Sequence, residues 1–311
     1  MVWQLDGPND DFLRVQGRVC TGPHQSRPLG LSASDDLQPA HALELVLKTC
    51  RKTIPPTARV SLAQMGAFFT AMHLRRSFEG SGAWNDVEQR AFSETQQALL
   101  EELPPTVAAL VDPTEHFAPS NHAERALWPA LQTVLGGEHL GTSQTKGALD
   151  LVLSGEAPPA FAAALLIGQR MNIETPAESL AYLQAGAPTV SDISLASLTH
   201  VGQPYNGSTR GFRPALFAAA VSAELGMPTL LHGVRSMPPK DGITAEQMIR
   251  ALGQNAPLNQ AHARRALLDD SIRFAFVDQR LFSPERERMI ELRYHIKKRP
   301  VFATTEKMTL L

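Results

Sequence analysis

Apolar residues recur at helical spacing through the first half of the chain. "PAHALELVLKTC" places Leu43, Val46 and Leu47 on one face, and "SLAQMGAFFTAMHLRR" continues the pattern after a Pro-Pro break and a serine suited to cap a helix. Together these two segments predict a helical hairpin. The segments "AWNDVEQRAFSETQQALLEEL" and "NHAERALWPALQTVL" stop at a proline pair and a glycine pair, as helices commonly do. The first half is therefore predicted to be helical.

The hairpin pattern occurs a second time. The segment "ALELVL" at 42–47 is repeated as "ALDLVL" at 148–153, and "AQMGAFFTAMHLR" aligns with "AFAAALLIGQRMN". Any two amphipathic hairpins look somewhat alike, and that alternative stays open. Our preferred interpretation is one helical unit built twice, at 39–78 and 145–185. Its small residues would let helices approach closely; they are Gly66, Ala67, Ala162, Ala163 and Ala164.

The pattern changes near residue 188, where short apolar runs alternate with helical segments. "DISLASLTHVG", "MPTLLHG" and "IRFAFVD" are typical of strands, and "PVFATTEKMTLL" is predicted to be a fourth strand after the helix "SPERERMIELRYHIKK". This alternation favours right-handed βαβ units and a parallel sheet. The predicted fold class is α/β, with a helical domain packed on a parallel-sheet domain. The predicted limits are an extended arm rich in Gly, Pro, Ser and Asp at 1–38, the helical domain at 39–187 and the α/β domain at 188–311.

The composition mainly disfavours certain classes of protein and kinds of site. The chain has 311 residues, 43% of them hydrophobic, and a net charge of -2, which disfavours both general disorder and a surface that coats nucleic acid. Two cysteines, Cys20 and Cys50, with no CxxC motif and no clustered histidines suggest neither a disulfide framework nor a zinc site. The acidic amino terminus and the short apolar run "PAFAAALLIG" predict no export signal and no membrane span. We expect a cytoplasmic protein.

Candidate chemistry lies in the loops after the first two predicted strands, because ligands of open parallel sheets bind at the carboxyl ends of strands. The first loop offers hydrogen-bonding, charged and flexible residues, although Pro204 interrupts any run of backbone N–H groups. The second loop contains three possible cationic donors suited to an anion. The alternative is exposed loop residues with no ligand. The candidate anion-binding residues are Gly202, Tyr205, Asn206, Gly207 and Arg210 in the first loop and His232, Gly233, Arg235 and Lys240 in the second.

A basic run near the carboxyl terminus is a second candidate surface. The segment "RERMIELRYHIKKR" could meet the phosphates of a nucleic acid, or it could be a solvated helix face balanced by neighbouring glutamates. Both interpretations stay open. The basic residues are Arg286, Arg288, Arg293, Lys297, Lys298 and Arg299.

Two segments resemble a known family. "LSGEAPPAFAAALLIGQRMNIETPAESL" is similar to the amino-terminal helices of anthranilate phosphoribosyltransferase and its glycosyltransferase relatives, that is, glycosyltransferase family 3. "LLHGVRSMPPKDGITAEQMIRALG" resembles the family segment with KHGNR, SSKSG and a helix ending in ALG. The resemblance runs from about Leu140 to the carboxyl terminus. It is strongest to a divergent branch with "GPH", "PYDGRSR", "HGxxRMPTKYG" and "KRPPFAT", which here read "GPH", "PYNGSTR", "HGVRSMPPKDG" and "KRPVFAT".

This resemblance implies a helical domain packed on an α/β domain of the nucleoside phosphorylase and phosphoribosyltransferase type. It further implies phosphoribosyl pyrophosphate in the cleft between them, a magnesium ion held by an Asp-Glu pair, and a homodimer through the helical domain. Of the family's GTGGD phosphate loop only Gly202 survives, and Asn206 replaces the carboxylate. The chain also finishes before the Asp-Glu segment, so it looks truncated at the carboxyl terminus. The positions that match the family's motifs are His232, Gly233, Arg235, Ser236 and Lys240 for the anion and Arg293 for the acceptor.

Two classes of function follow from the resemblance and the loops. The first is an enzyme that transfers a phosphoribosyl group to a small aromatic or nitrogenous acceptor. Loss of the phosphate loop and of the metal ligands disfavours the orthodox reaction, because the leaving pyrophosphate needs positive charge. The second is a non-catalytic protein that binds an anion, a nucleotide or a nucleic acid, or that serves as a dimeric regulatory or structural subunit.

Overall fold

A computed structural model of the chain describes residues 3, 5, 7–22, 30–34, 38–114, 117–186, 193, 195, 197–203, 207–211, 213–255 and 258–309. The chain divides into two compact units. The first comprises Met1–Tyr182 and Glu291–Val301, and the second comprises Leu183–Ile290 and Phe302–Leu311. Every helix among the described residues is too short or too polar to cross a bilayer.

Helices make up the first unit. In chain order, α1 to α9 are Asp10–Val19, Pro39–Cys50, Leu62–Arg75, Asp86–Glu102, Pro105–Val111, His122–Leu135, Thr142–Ser154, Pro159–Asn172 and Pro176–Gln184. Short 3-10 turns lie at Pro56–Ala58 and Gly80–Gly82. The predicted helical character of this half is confirmed.

The core of this unit is built around α3 and α8, the two helices that correspond in the sequence repeat. Both are apolar around most of their circumference and are buried along nearly their whole length, as expected of helices that neighbours surround. A Cβ on Gly66 would lie 2.1 Å from the carbonyl oxygen of Ala160, so the two backbones are in contact. The predicted close approach of helices at small residues is confirmed.

Helix α1 corrects the prediction of an extended arm over 1–38. Asn9 caps the helix, because its side-chain oxygen accepts a hydrogen bond of 2.8 Å from the Phe12 N–H. Phe12, Val15 and Val19 share one face and are buried, and the Phe12 ring lies edge-on to that of Phe68 with centroids 5.1 Å apart. The polar residues between them hide this periodicity, and packing against α3 stabilises the helix.

A three-stranded parallel sheet forms the centre of the second unit. Strands β1 (Thr199–Gln203), β2 (Thr229–Gly233) and β3 (Phe274–Asp278) lie in the order β1-β2-β3. Neighbouring residues of β2 belong to different core clusters. Leu230 packs with Ala263 and Leu267. Leu231 packs with Leu216 and Ile249. Apolar clusters on both faces are typical of parallel strands, and the predicted sheet is confirmed. The remaining helices, α10 to α14, are Ala215–Glu224, Ala245–Ala251, Gln260–Leu268, Pro284–His295 and Phe302–Thr305.

The predicted fourth strand at 300–311 is wrong. The described part of this segment forms the short helix α14 and a 3-10 turn at Glu306–Met308. Phe302, Thr305 and Glu306 are buried, a spacing of three and four residues that suits a helical turn and not a strand. The 3-10 turn lies against β1 and not beside it in the sheet.

Candidate functional site

A backbone bridge joins the loops that follow β1 and β2. The Ser208 N–H donates to the Ile243 carbonyl oxygen at 2.9 Å, and the Ile243 N–H donates to the Ser208 carbonyl oxygen at 3.0 Å. Gly207 has a φ of 72°, and a Cβ there would lie 2.0 Å from the carbonyl oxygen of Gly242. The bridge therefore holds residues 207–211 and 234–242 side by side, and we call these two segments the loop surface.

The start of α11 fixes the second loop. Thr244 and Gln247 form a capping box at the amino end of this helix. Their side chains also donate to the Arg235 carbonyl oxygen, from Thr244 Oγ1 at 3.1 Å and from Gln247 Nε2 at 3.0 Å. Within the loop, Ser236 Oγ donates to Asp241 Oδ1 at 2.6 Å. The backbone of Arg235 is thus anchored while its side chain is exposed.

Three predicted cations lie on the loop surface with exposed side chains. They are Arg210 from the first loop and Arg235 and Lys240 from the second. Because the bridge joins the two loops at the carboxyl ends of adjacent strands, their charges belong to one surface. This arrangement can attract an anion such as a phosphate group.

His232 does not belong to this exposed set. It lies in β2 and is fully buried, and its ring nitrogens lie 3.0 Å (Nε2) from the Glu306 carbonyl oxygen and 2.7 Å (Nδ1) from His200 Nε2. A carbonyl only accepts, so Nε2 donates to it and Nδ1 of the neutral ring accepts from His200. The pKa of His232 is lowered to about 3, mainly by burial and in smaller part by the neighbouring His200. The predicted role of His232 as a cationic donor does not fit this neutral, buried ring.

Gly202, which the sequence suggested as part of a phosphate-binding loop, packs against another backbone segment. A Cβ at this position would lie 2.0 Å from the carbonyl oxygen of Lys307, in the 3-10 turn after α14. The backbone of β1 and this turn therefore touch, and a glycine is needed for them to do so. Gly233, at the end of β2, is buried between Gln203 and Phe276.

The other predicted site residues divide into two groups. Tyr205 and Asn206, together with Pro204, lie outside the described residues. Arg293 lies in α13, belongs to the first compact unit and is 3% exposed.

The basic run is not a continuous exposed strip. Arg286 is 1% exposed and donates to backbone carbonyls, from Nε to Ala185 O at 2.9 Å and from Nη2 to Leu183 O at 2.7 Å. Arg293 is buried as well, whereas Arg288 and Arg299 are exposed. Arg286 therefore holds the carboxyl end of α9 and the residue that follows it.

Sequence reasoning missed a buried pair of carboxylates near the end of β3. Asp278 binds Arg280, with Oδ2 2.5 Å from Nη2 and Oδ1 3.0 Å from Nε. Glu246 accepts from Arg250 Nε at 3.0 Å, and its pKa is raised by burial and by the nearby Asp278. The signal in the sequence was an aspartate at the end of an apolar strand. Among the described residues, no three His, Cys, Asp or Glu side chains are grouped to hold a metal ion.

The sequence is similar to known proteins over about half of its length. Residues 129–186, which run from within α6 through α9, match the family model described as glycosyl transferase family, helical bundle domain. The anthranilate phosphoribosyltransferase of Saccharopolyspora erythraea is 33% identical over 154 residues, covering 48% of this chain and 42% of that enzyme. That of Idiomarina loihiensis is 29% identical over 178 residues, covering 56% and 51%.

Over about half of its length, the chain is similar to anthranilate phosphoribosyltransferases. The predicted resemblance is confirmed, although the chain spans only about half the length of the curated relatives it matches. A crystal structure of anthranilate phosphoribosyltransferase from Thermus thermophilus superposes with a TM-score of 0.50 at 23% identity, covering 58% of this chain and 54% of that one. This likeness supports the α/β fold with its helical first unit.

Proposed function

We propose that this anthranilate phosphoribosyltransferase-like chain binds a phosphorylated ligand of the phosphoribosyl pyrophosphate type on the loop surface. The observation that carries the proposal is the bridge between Ser208 and Ile243, which joins loops with exposed Arg210, Arg235 and Lys240 at the carboxyl ends of two adjacent parallel strands. Ligands of open parallel sheets bind at this edge. The names of the relatives indicate phosphoribosyl chemistry as the class of ligand.

Side chains replace the glycine cradle in this proposal. Gly202 packs against Lys307, and Gly207 packs against Gly242, so both glycines make backbone contacts within the protein. The attraction for a phosphate then comes mainly from Arg235 and Lys240, with Arg210 from the facing loop. Arginine binds phosphate through two parallel hydrogen bonds and lysine acts as a point charge, so the two contribute in different ways.

The loop surface does not fit a magnesium ion held by the protein. Of its described residues, Asp241 is the carboxylate present, and its Oδ1 already accepts a hydrogen bond from Ser236. Magnesium in phosphate sites is commonly held by one or two carboxylates together with the substrate's own phosphates. We therefore derive no step through the metal, and any magnesium in the complex would enter with the ligand.

The second candidate function is transfer of the phosphoribosyl group to a small aromatic or nitrogenous acceptor. The observation that favours it is the similarity to named anthranilate phosphoribosyltransferases. In this chain the developing charge on the leaving pyrophosphate would depend on Arg235 and Lys240. Binding without turnover would separate the first proposal from the second.

Thermal unfolding in millimolar phosphoribosyl pyrophosphate, with and without magnesium, tests the binding proposal. We expect the melting temperature of the wild-type chain to rise, since a ligand that binds the folded state stabilises it. The Arg235→Ala/Lys240→Ala variant should lose most of this rise. Arg264→Ala, which removes an exposed arginine on α12, is the matched control and should keep it. No rise in the wild type, or an equal rise in the double variant, would overturn the proposal.

A further inference from the structure

We propose that the first compact unit is an internal pseudo-dimer, in which two copies of one helical bundle are fused in a single chain. The first copy comprises α1 to α4 and the second comprises α6 to α9. In this arrangement the first copy occupies the surface that the second copy would otherwise present to another chain. The protein is therefore monomeric with respect to this surface.

A repeated glutamate contact shows that the duplication extends beyond the hairpin. In the first copy the Leu31 N–H donates to Glu88 Oε1 at 3.1 Å, and in the second the Leu140 N–H donates to Glu178 Oε1 at 3.2 Å. In each copy the leucine precedes the first hairpin helix and the glutamate lies in the helix that follows the hairpin. The same connection therefore closes both bundles.

These glutamates also occupy the same place in their own helices. Glu88 Oε2 accepts from the Asn85 N–H at 3.1 Å, and Glu178 Oε2 accepts from the Thr175 N–H at 2.8 Å. Asn85 and Thr175 accept in return from the N–H groups of Glu88 and Glu178, at 2.9 and 3.2 Å. Each glutamate thus completes a capping box at the start of its helix.

A side chain from the second hairpin helix contacts the glutamate in each copy, although the two side chains do not occupy corresponding positions of the repeat. Arg75 Nη1 lies 2.7 Å from Glu88 Oε1, and Gln169 Nε2 lies 3.1 Å from Glu178 Oε1. Amphipathic hairpins resemble one another in apolar spacing, but that resemblance does not produce a buried glutamate that both caps its own helix and accepts from the backbone of a leucine before the hairpin. Duplication of one unit accounts for the two contacts that recur.

The two copies meet through corresponding helices, α3 and α8. Gly66 of α3 touches the backbone of Ala160, and a Cβ on Gly168 of α8 would lie 3.3 Å from Thr70 Cγ2 of α3. A contact between corresponding elements is what two identical subunits form about a twofold axis. Here both sides of the contact belong to one chain.

Flanking contacts cross between the copies in both directions. Gly22, just after α1 of the first copy, lies against α8, with its Cβ position 3.2 Å from the Met171 carbonyl oxygen. In return, α6 of the second copy contacts α3 of the first. This reciprocity is the pattern expected of a twofold pair. Since α8 is buried on nearly all sides by these neighbours, a second chain has no access to it.

Sedimentation velocity of the intact chain at several concentrations tests the proposal. We expect a species of 33.8 kDa throughout. The homodimer through the helical domain that the sequence resemblance implies would instead have twice that mass. If a dimer forms as the concentration rises, its interface must be identified. The second unit has a separate exposed apolar stripe on α10 that could also form an interface; its residues are Phe217, Val221 and Leu225.

The variant Val221→Asp/Leu225→Asp locates any such dimer. A dimer that this variant dissolves lies on α10 and supports the proposal, because the helical surface then forms no dimer. A dimer that the variant leaves intact would overturn the proposal. For the wild type and the variant alike, a monomer is the expected result.

A second measurement tests the twofold correspondence directly. In the repeat, Gly66 of α3 corresponds to Ala163 of α8. We expect Gly66→Leu and Ala163→Leu each to lower the melting temperature by about 3–10 °C, because Gly66 touches α8 and the proposed twofold correspondence sets the fully buried Ala163 against α3. The double variant should lose less than the sum of the two. Gly147→Ala in α7, where nothing lies within 4 Å of the Cβ position, is the control. An unchanged melting temperature for either leucine variant, or strict additivity, would contradict the proposal.

Discussion

The carbonyl oxygen of Lys307 lies so close to Gly202 that a Cβ on residue 202 would be 2.0 Å away from it. This contact joins β1 to the 3-10 turn at Glu306–Met308. The surviving glycine of the predicted phosphate loop is therefore needed for backbone packing. In the proposed function, anion binding therefore depends on side chains, chiefly those of Arg235 and Lys240.

Replacing Gly202 should be destabilising. Gly202→Ala forces the β1 backbone and the 3-10 turn apart, and we expect a loss of about 1–3 kcal/mol in the free energy of unfolding. Urea denaturation measures it. Gly211→Ala is the matched control, because nothing lies within 4 Å of its Cβ position. Equal stability of the two variants would show that the contact with Lys307 is not formed in solution.

Acid should destabilise the second unit through His232. Burial holds its folded pKa at about 3, below the ordinary value of 6.5. Between these values the unfolded chain binds a proton that the folded chain does not, so this contribution to stability is present above pH 6.5 and is lost as the pH falls towards 3. The expected slope is up to about 1.4 kcal/mol per pH unit.

Urea denaturation at pH 7, 5.5 and 4.5 measures this slope. His232→Gln keeps a donor for the Glu306 carbonyl and removes the titrating ring, so the variant should depend less steeply on pH. His262→Gln, an exposed histidine on α12, serves as the control and should behave like the wild type. An unchanged slope in His232→Gln would contradict the buried neutral ring.

The buried ion pair of Arg75 and Glu88 should be sensitive to loss of one partner. Both side chains are 0% exposed, with Nη1 2.7 Å from Oε1. Glu88→Leu leaves the guanidinium buried without its counter-charge, and we expect a loss of about 3–5 kcal/mol in the free energy of unfolding. Glu102→Leu breaks the exposed pair with Arg51 and should change stability little. Similar small effects for both variants would refute the structural role of Glu88.

Arg286 should act in stability and not in nucleic-acid binding. Arg286→Met removes hydrogen bonds to the carbonyls of Leu183 and Ala185, and we expect a loss of about 2 kcal/mol or more. Arg288→Met, which removes an exposed side chain of the same helix, should have a smaller effect on stability. If fluorescence anisotropy showed salt-dependent oligonucleotide binding that both substitutions weakened equally, the nucleic-acid interpretation of the basic run would regain support.

The sheet could be predicted because each strand is a short apolar run that must be covered on both faces. Leu230 and Leu231 illustrate this, since they enter clusters on different faces of β2. Helix α1 and the carboxyl-terminal turn could not be predicted in the same way. Phe12 finds its partner in Phe68, and Phe302 is buried within a short helix, so tertiary packing decided both segments.

The candidate site, too, could be predicted only in the part that local sequence determines. The order of strands and loops placed Arg235 and Lys240 correctly in the loop after β2. The sequence did not reveal that β2 extends through His232, or that the carbonyl of Glu306 would meet its ring. The bridge between Ser208 and Ile243 joins residues far apart in the chain, and no local pattern announces it.

Titration calorimetry of phosphoribosyl pyrophosphate into the magnesium-free protein tests the central claim most directly. The account predicts saturable binding to the wild type and to Arg264→Ala, and binding at least about tenfold weaker to Arg235→Ala/Lys240→Ala, since charge-assisted hydrogen bonds contribute about 1.5–3 kcal/mol each. Absence of saturable heat in the wild type, or equal affinity in the double variant, would contradict it.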